Sequence, residues 1–300
     1  MGMEARRLMS QAIQPSLNPR ISASATEWPW WRTTPHDWII LPWVVLIHIT
    51  ALVGLILFPL PGWRVVLGAA AIAWLGGIGT TVGYHRAIAH RALRPNAIVR
   101  GVLIFLAMFN GSGSPTTWAA SHRVHHANAD TLDDVSSPTL HGFWWAHLRW
   151  LWQADAPSVE RYCPDLDHIS YRIWRNLQPA ILSLSYFGGL YFGLGAFFWL
   201  GAVRLVFSLH AQCFVNSVCH SEPDTPFGED SSRNVRWLAF MHFFQGENWH
   251  RNHHARPGIA RLGWAWHQPD VGYLVIRILE MMGLVSEVRR SRSLESLRNA

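Results

Sequence analysis

The sequence predicts an all-α polytopic membrane protein, with four transmembrane helices beneath a cytosolic, histidine-rich helical cap. Three observations carry that expectation. Half of the 300 residues are hydrophobic and only 15 % are charged, a balance that favours a membrane over a water-soluble domain. Charge-free apolar runs occur at residues 38–60, 65–84 and 177–203, with a fourth at 201–220 interrupted by Arg204; each is near the roughly 20 residues that a helix needs to cross the hydrocarbon core. The cations, all 25 of them arginine, crowd into the segments between these runs.

Residues 1–37 are polar, with proline and serine, and contain no apolar core for a signal peptide; the Arg6-Arg7 pair has no hydrophobic segment behind it. They read as a flexible cytosolic leader. The first two spans are joined by "PLPGWR" and the second two by "LGAVR", which allow only tight reversals, so two transmembrane hairpins are expected. "GVLIFLAMF" at 101–109 is too short to span and is expected in the interface or against the bundle. "DVGYLVIRILEMMGLVSEV", after residue 266, is expected as an amphipathic helix on the bilayer surface. The membrane domain then covers 38–285 and a tail covers 286–300.

Arginine placement sets the orientation, because loops kept in the cytoplasm carry the positive excess. The N-terminal tail holds four arginines, the segment between the hairpins nine and the C-terminal part ten, against one in each short reversal. Both termini and every histidine-rich stretch therefore fall on the cytoplasmic side. The net charge of +6 reads as a basic membrane face rather than a nucleic-acid surface. Cys163, Cys213 and Cys219 lack metal-ligand spacing and leave an odd one over, so neither a disulfide framework nor a zinc knuckle is expected. Trp28, Trp30, Trp31, Trp144 and Trp145 read as interface anchors.

Chemistry concentrates in three boxes: "HRAIAH" (His85, His90), "HRVHH" (His122, His125, His126) and "HRNHH" (His250, His253, His254). On a helix, positions i, i+3 and i+4 project from one face, which suits ligands on one metal or across a pair. His85 and His90 are five apart, about 140° on a continuous α-helix, so they are expected at a helix end, reaching different metals. In "NSVCH", Asn216 and His220 are one turn apart at the membrane edge, where polar residues are usually functional. Nine histidines exceed what one ion takes and suit two. Imidazole alone does not choose between zinc, copper, iron and nickel. Asp130, Asp133, Asp134 and Glu247 lie beside the boxes as candidates to orient ligand imidazoles through their second nitrogen, and His147 is a further candidate beside the ligands. His36, His48, His168, His210, His242 and His267 read as packing or interfacial residues.

"GYHRAIAH", "WAASHRVHHANAD", "VNSVCH" and "GENWHRNHH", in this order and at this spacing, resemble the membrane fatty acyl desaturases of the acyl-CoA delta-9, bacterial type, over residues 38–285. The resemblance implies a non-haem di-iron centre that uses dioxygen and two electrons to insert a cis double bond into a saturated acyl chain. It implies His85, His90, His122, His125, His126, His220, His250, His253 and His254 as iron ligands, with Asn216 holding a metal-bound water. The acyl group would arrive on coenzyme A or in a lipid. With no haem-binding domain visible, electrons would come from a separate ferredoxin, rubredoxin or cytochrome-type carrier and its reductase. The chain departs from related sequences at "DDVSSP", where they tend to read Asp-Pro-His-Ser-Pro, and at Asn248 and Arg149, where they favour glycine. Two other readings remain at this stage: a membrane di-iron hydroxylase acting on an alkane or other lipid, and a metal transporter or sensor. Product analysis separates the first; ligands strung along a crossing path would mark the second.

Overall fold

In a computed structural model, residues 28–34, 38–222, 224–226 and 228–291 are described. His36, most of the 1–37 leader and residues 292–300 lie outside them. Helix α1 (Ile40–Leu57) and helix α2 (Trp63–Ala89) are long and apolar enough to cross a membrane. Gly62, at φ 101°, turns one into the other, a conformation that suits a residue without Cβ. The second half of α2, from Gly79, is a π-helix.

Helix α3 (Ala97–Phe109) starts from an Asn96 side chain that accepts the Val99 N–H at 2.9 Å. It runs antiparallel to α2 and touches it through glycines. A Cβ on Gly83 would meet Leu103 Cβ at 2.8 Å, one on Gly79 the Ala107 backbone nitrogen at 2.4 Å, and one on Gly76 the Asn110 side chain at 2.4 Å. The apolar 101–109 segment is therefore packed into the bundle, with Leu103, Ile104, Ala107 and Met108 buried. Gly111 and Gly113, both at positive φ, reverse the chain into helix α4 (Pro115–Asn128), which Ser114 caps and Pro115 starts. A short ladder departs from the all-α expectation: β1 (Arg94–Pro95) pairs antiparallel with β2 (Val285–Ser286).

The second hairpin is placed differently from the sequence reading. Helix α5 (Ile169–Phe187) ends at a turn of 3-10 helix over Gly188–Phe192, and Gly193 at φ 102° begins helix α6 (Leu194–Cys219). The reversal thus lies in "GGLYFG", not "LGAVR", and the run 177–203 is split between two helices. Hydropathy is continuous across this break, so only the glycines mark it. Arg204 consequently sits inside α6 rather than in a loop, 2 % exposed. α6 is the third helix that is long and apolar enough to span; α5 falls short of that apolarity. The C-terminal half of α5 nonetheless packs into the bundle, Tyr186 joining Ile47 and Ala51 of α1 and Ala202 and Leu205 of α6.

Helix α7 (His250–Ala255) carries the third histidine box, and helix α8 (Val271–Met281) is N-capped by Asp270. α8 buries Gly272 and Ile276 while Leu274, Ile278 and Met281 stay exposed, the two apolar faces expected of a helix lying against both protein and lipid. Residues on either side of 38–285 also contact this fold. Trp28–Thr34 is strapped down by Gln153, Trp152 and Arg149, whose side chains donate to the Pro29, Arg32, Trp30 and Trp28 carbonyls. Arg289 of the tail donates its N–H to Ala92. Trp145, read as an interface anchor, is a core residue, 1 % exposed with its indole N–H on Val135 O; Trp31 and Trp144 are exposed. All three cysteines are free and buried.

The glycine contacts give a test. Gly79→Ala directs a methyl at the α3 backbone, which no rotamer change relieves, and should destabilise by about 1–3 kcal/mol or more. Gly68→Ala, whose Cβ would sit 3.4 Å from a Leu200 methyl, should melt as the wild type does. Thermal unfolding in detergent compares the two.

Candidate metal centre

Box 1 owes its geometry to the π-helix. The His90 N–H donates to the His85 carbonyl at 3.1 Å, a five-residue bond that stacks positions an α-helix would place 140° apart. The two rings end 5.1 Å apart, and both belong to one histidine group. The expectation that they reach different metals is corrected by this bulge. The other boxes do the reverse. His122 and His126 of α4 join His85, His90 and His253 in one group, while His125 joins His220, His250 and His254 in the second. In each His-x-x-His-His box the i, i+4 pair serves one group and the middle histidine the other, so α4 and α7 each bridge both.

Every contact at the centre of these groups is Nε2 to Nε2. In the first, His85–His253 is 2.9 Å, His90–His122 2.8 Å and His126–His253 2.8 Å. In the second, His125–His220 is 3.0 Å, His220–His250 2.9 Å, His250–His254 3.1 Å and His125–His254 3.3 Å. Nitrogens bound about 2.1 Å from one ion at right angles are about 3 Å apart, so the spacing fits a shared cation.

The outer nitrogens show why a cation belongs there. Nδ1 of His125 lies 2.9 Å from Asp134, that of His220 3.1 Å from Asp130, and that of His254 2.9 Å from Asp230. His85 Nδ1 lies 2.8 Å from Glu247. A carboxylate only accepts, so each Nδ1 carries the proton and each neutral imidazole turns an Nε2 lone pair inward. Lone pairs facing one another at about 3 Å repel unless a cation takes them. Protonating the rings instead is opposed: burial and then neighbouring histidines hold His122, His126, His250 and His253 well below the ordinary imidazole range. Burial lowers His254 to about 4 despite Asp230. His125 is raised, the Asp134 carboxylate overriding its burial.

The carboxylates are themselves fixed. Asp134 also accepts the Asp130 and Ser136 N–H groups, and Asp130 accepts from Ser137 and Ser231. Burial would raise both acids, but the histidine and these donors hold them below the usual range. Glu247, which also accepts from Thr81, is held at about 2 against its burial by His85 and Arg86. Buried Arg86 joins box 1 to the C-terminal elements, bonding Asp270, Ala260 O and Gln245 O.

Of the residues singled out from sequence, the nine histidines, Asp130, Asp134 and Glu247 come together here. Asn216 lies half-buried on α6 one turn before His220. Asp133 makes none of these pairs. His147 is placed elsewhere: it bonds Ser217 at 2.9 Å and His210 at 2.8 Å, and His210 in turn bonds His48. His242 bonds Ala211 O, and His267 is exposed. Asp230 was missed. It lies in "GEDSSRN", where sequence offers Glu229 and Asp230 alike and nothing ties either to His254.

A bundle with helices long and apolar enough to span a membrane, carrying two adjoining all-imidazole groups, defines a class, that of membrane-type proteins with histidine boxes able to hold metal ions. The fatty acid desaturase family model matches residues 61–269. The chain is 33% identical over 258 residues to delta-9 acyl-lipid desaturase 1 of Arabidopsis thaliana, covering 82% of this chain and 81% of that protein. It is 33% identical over 278 residues to the sn-1 stearoyl-lipid 9-desaturase of Synechocystis sp., covering 86% and 81%. To the hex-5-enoyl-[acyl-carrier protein] acetylenase of Moorena producens it is 34% identical over 265 residues, covering 80% and 81%. The chain belongs to the fatty acid desaturase family.

Residues that orient a ligand through its second nitrogen typically cost roughly 10- to 100-fold in metal affinity when lost. Asp230→Ala, which strips the acceptor from His254, should weaken retention of a divalent metal ion by that amount under chelator challenge. Asp133→Ala should leave it unchanged. Metal per chain, measured after dialysis, reads the difference.

Proposed function

We propose that this chain is an oxygen-dependent delta-9 desaturase that inserts a cis double bond into a saturated acyl chain held in a membrane lipid. The observation carrying this is the five-and-four division of nine histidines in a member of this family whose relatives are named for acyl-lipid 9-desaturation. That naming favours a lipid-borne acyl group over coenzyme A. His85, His90, His122, His126 and His253 would hold one iron, and His125, His220, His250 and His254 the other. Asn216, beside the group with four imidazoles, would hold a water that completes it. Two irons bound there would supply the dioxygen activation needed to take hydrogens from unactivated methylenes.

The protein's own residues then do three things. Asp130, Asp134, Asp230 and Glu247 keep protons on Nδ1 and lone pairs on Nε2. Four acidic groups facing the cluster also offset the charge of two divalent ions within a buried site. Because a methylene offers no acid or base handle, positional selectivity comes from holding one C–C bond near the centre, in an acyl tunnel between cap and bundle. Per double bond the reaction takes one dioxygen, two electrons and two protons and releases two waters; the electrons come from a separate carrier and its reductase.

α5 acts as the fourth span. It pairs with α6 through the turn at 188–193 and joins α1 through the Thr50–Tyr186 hydrogen bond at 2.7 Å. With the second reversal free of arginine and Arg204 buried, the positive excess still lies with the histidine cap. Both termini and the active site are therefore assigned to the cytoplasm.

Expression in a host lacking unsaturated fatty acids, followed by lipid analysis, tests the reading. Cis-9 monounsaturated acyl chains should appear in the lipid fraction. A hydroxylated product, or no new double bond with two irons per chain bound, would sink it and favour the hydroxylase. In the same host His253→Ala should lose both activity and iron, and His267→Ala should keep both.

A further inference from the structure

Beside box 1, away from the imidazole groups, the surface carries a cleft of about 340 Å³ lined by Arg91, Arg94, Arg100 and Arg289 together with Asp165 and Tyr171. Its charge is unbalanced. Asp165 is shared between Arg91 at 2.7 Å and Arg123 at 2.6 Å. Arg94 reaches Glu287 at 2.9 Å, but both side chains are mostly exposed, so that pair holds Arg94 only weakly. Arg100 and Arg289 make no ion pair among the described residues. Four guanidinium groups thus line the cleft against two carboxylates, one of them shared with Arg123 outside it, and the Tyr171 phenol adds a neutral donor.

The rim explains what such a cleft is for. β1 and β2 form one wall, and the Asn96 N–H to Leu284 O bond ties the start of α3 to the end of α8. On these same elements Ile98 is 80% exposed, Met281 74% and Met282 64%, and Ile169 at the start of α5 is 61% exposed. A cluster of cations on elements that also expose apolar side chains, on a protein of this family, matches the level where headgroup phosphates meet acyl chains. We propose that the cleft binds the phosphate of an anionic phospholipid, as a lipid site distinct from the one that receives the acyl substrate. Arg100 and Arg289, the two cations without a carboxylate, make the principal contacts, and the exposed isoleucine and methionine side chains take the first methylenes of the lipid. An acidic protein would use the charge but would leave the apolar fringe in water.

The site lies outside the metal centre, so it can be tested without turnover, and its failure would leave the desaturase reading standing. The purified full chain in detergent is titrated with phosphatidylglycerol, phosphatidylcholine of the same acyl chains, or inorganic phosphate, and bound species are counted by native mass spectrometry. Phosphatidylglycerol should be retained over phosphatidylcholine. The double variant Arg100→Gln/Arg289→Gln should lose that retention by roughly tenfold or more. Arg233→Gln/Arg251→Gln, with the same charge change at a different surface cleft, should keep it, which separates a site from bulk charge. Equal retention by the first variant and the wild type overturns the proposal. So does inorganic phosphate binding as tightly as the lipid, which would mark a free-anion site. Loss of reduction by an acidic electron carrier with lipid binding intact would mark a protein-docking surface instead.

Discussion

The structure depends on holding imidazole lone pairs against one another. Nine Nε2 atoms converge in two groups at separations near 3 Å, an arrangement that neutral rings avoid and protonated rings resist more strongly. Orientation comes partly from outside. Asp130, Asp134, Asp230 and Glu247 each accept an Nδ1–H, so His220, His125, His254 and His85 are held with Nε2 facing the centre. Those acids are in turn fixed by backbone and hydroxyl donors. Burying a charged carboxylate is costly unless every lone pair has a partner, and Asp130 and Asp134 show that condition met. The site is a cage of acceptors built before any cation is counted.

This requirement reaches back into the chain's irregular features. A regular α-helix would send His85 and His90 to different sides, and the π-helical end of α2 prevents that. π-bulges concentrate at functional sites because their local cost is repaid elsewhere, and here a five-residue spacing becomes a shared face. α2 can enter the cap in this form because Gly79 and Gly83 let α3 lie against it. Arg86 then fastens the bulge to Asp270, which also caps α8. Box 1 is thus held by contacts with the third-box segment and the C-terminal helix.

Sequence made the two histidine groups legible because a site able to hold metal needs specific residue types at fixed spacing, and His-x-x-His-His on a helix has few other uses. It made the first hairpin legible for a similar reason: two long apolar runs flank a proline-glycine turn. The same method misplaced the second hairpin, because "YFGGLYFGLGAFF" is apolar throughout and only glycine conformation breaks it. Asp230 was out of reach because its role depends on a loop that folds back 24 residues before His254. Closeness to box 2 in sequence made His147 a candidate, and the structure shows its ring bonded to His210 and Ser217 of α6.

Arg204 shows how the second hairpin's placement bears on the cap. In a loop it would be one more solvated cation. Inside α6 it is buried among helices, and no carboxylate pairs with it among the described residues. Instead it donates to the carbonyls of Leu200, Phe109 and Ser185, and to the Asn110 and Ser185 side chains. Phe109 and Asn110 end α3, where unpaired carbonyls carry the negative end of the helix dipole. A guanidinium there supplies both donors and charge to a backbone reversal that lies at the depth of the spans, where a non-helical segment survives only if its polar groups are bonded within the protein. The reversal feeds directly into α4 and box 2. The height at which His122, His125 and His126 meet the other boxes is therefore set partly by a cation buried in the bundle below them.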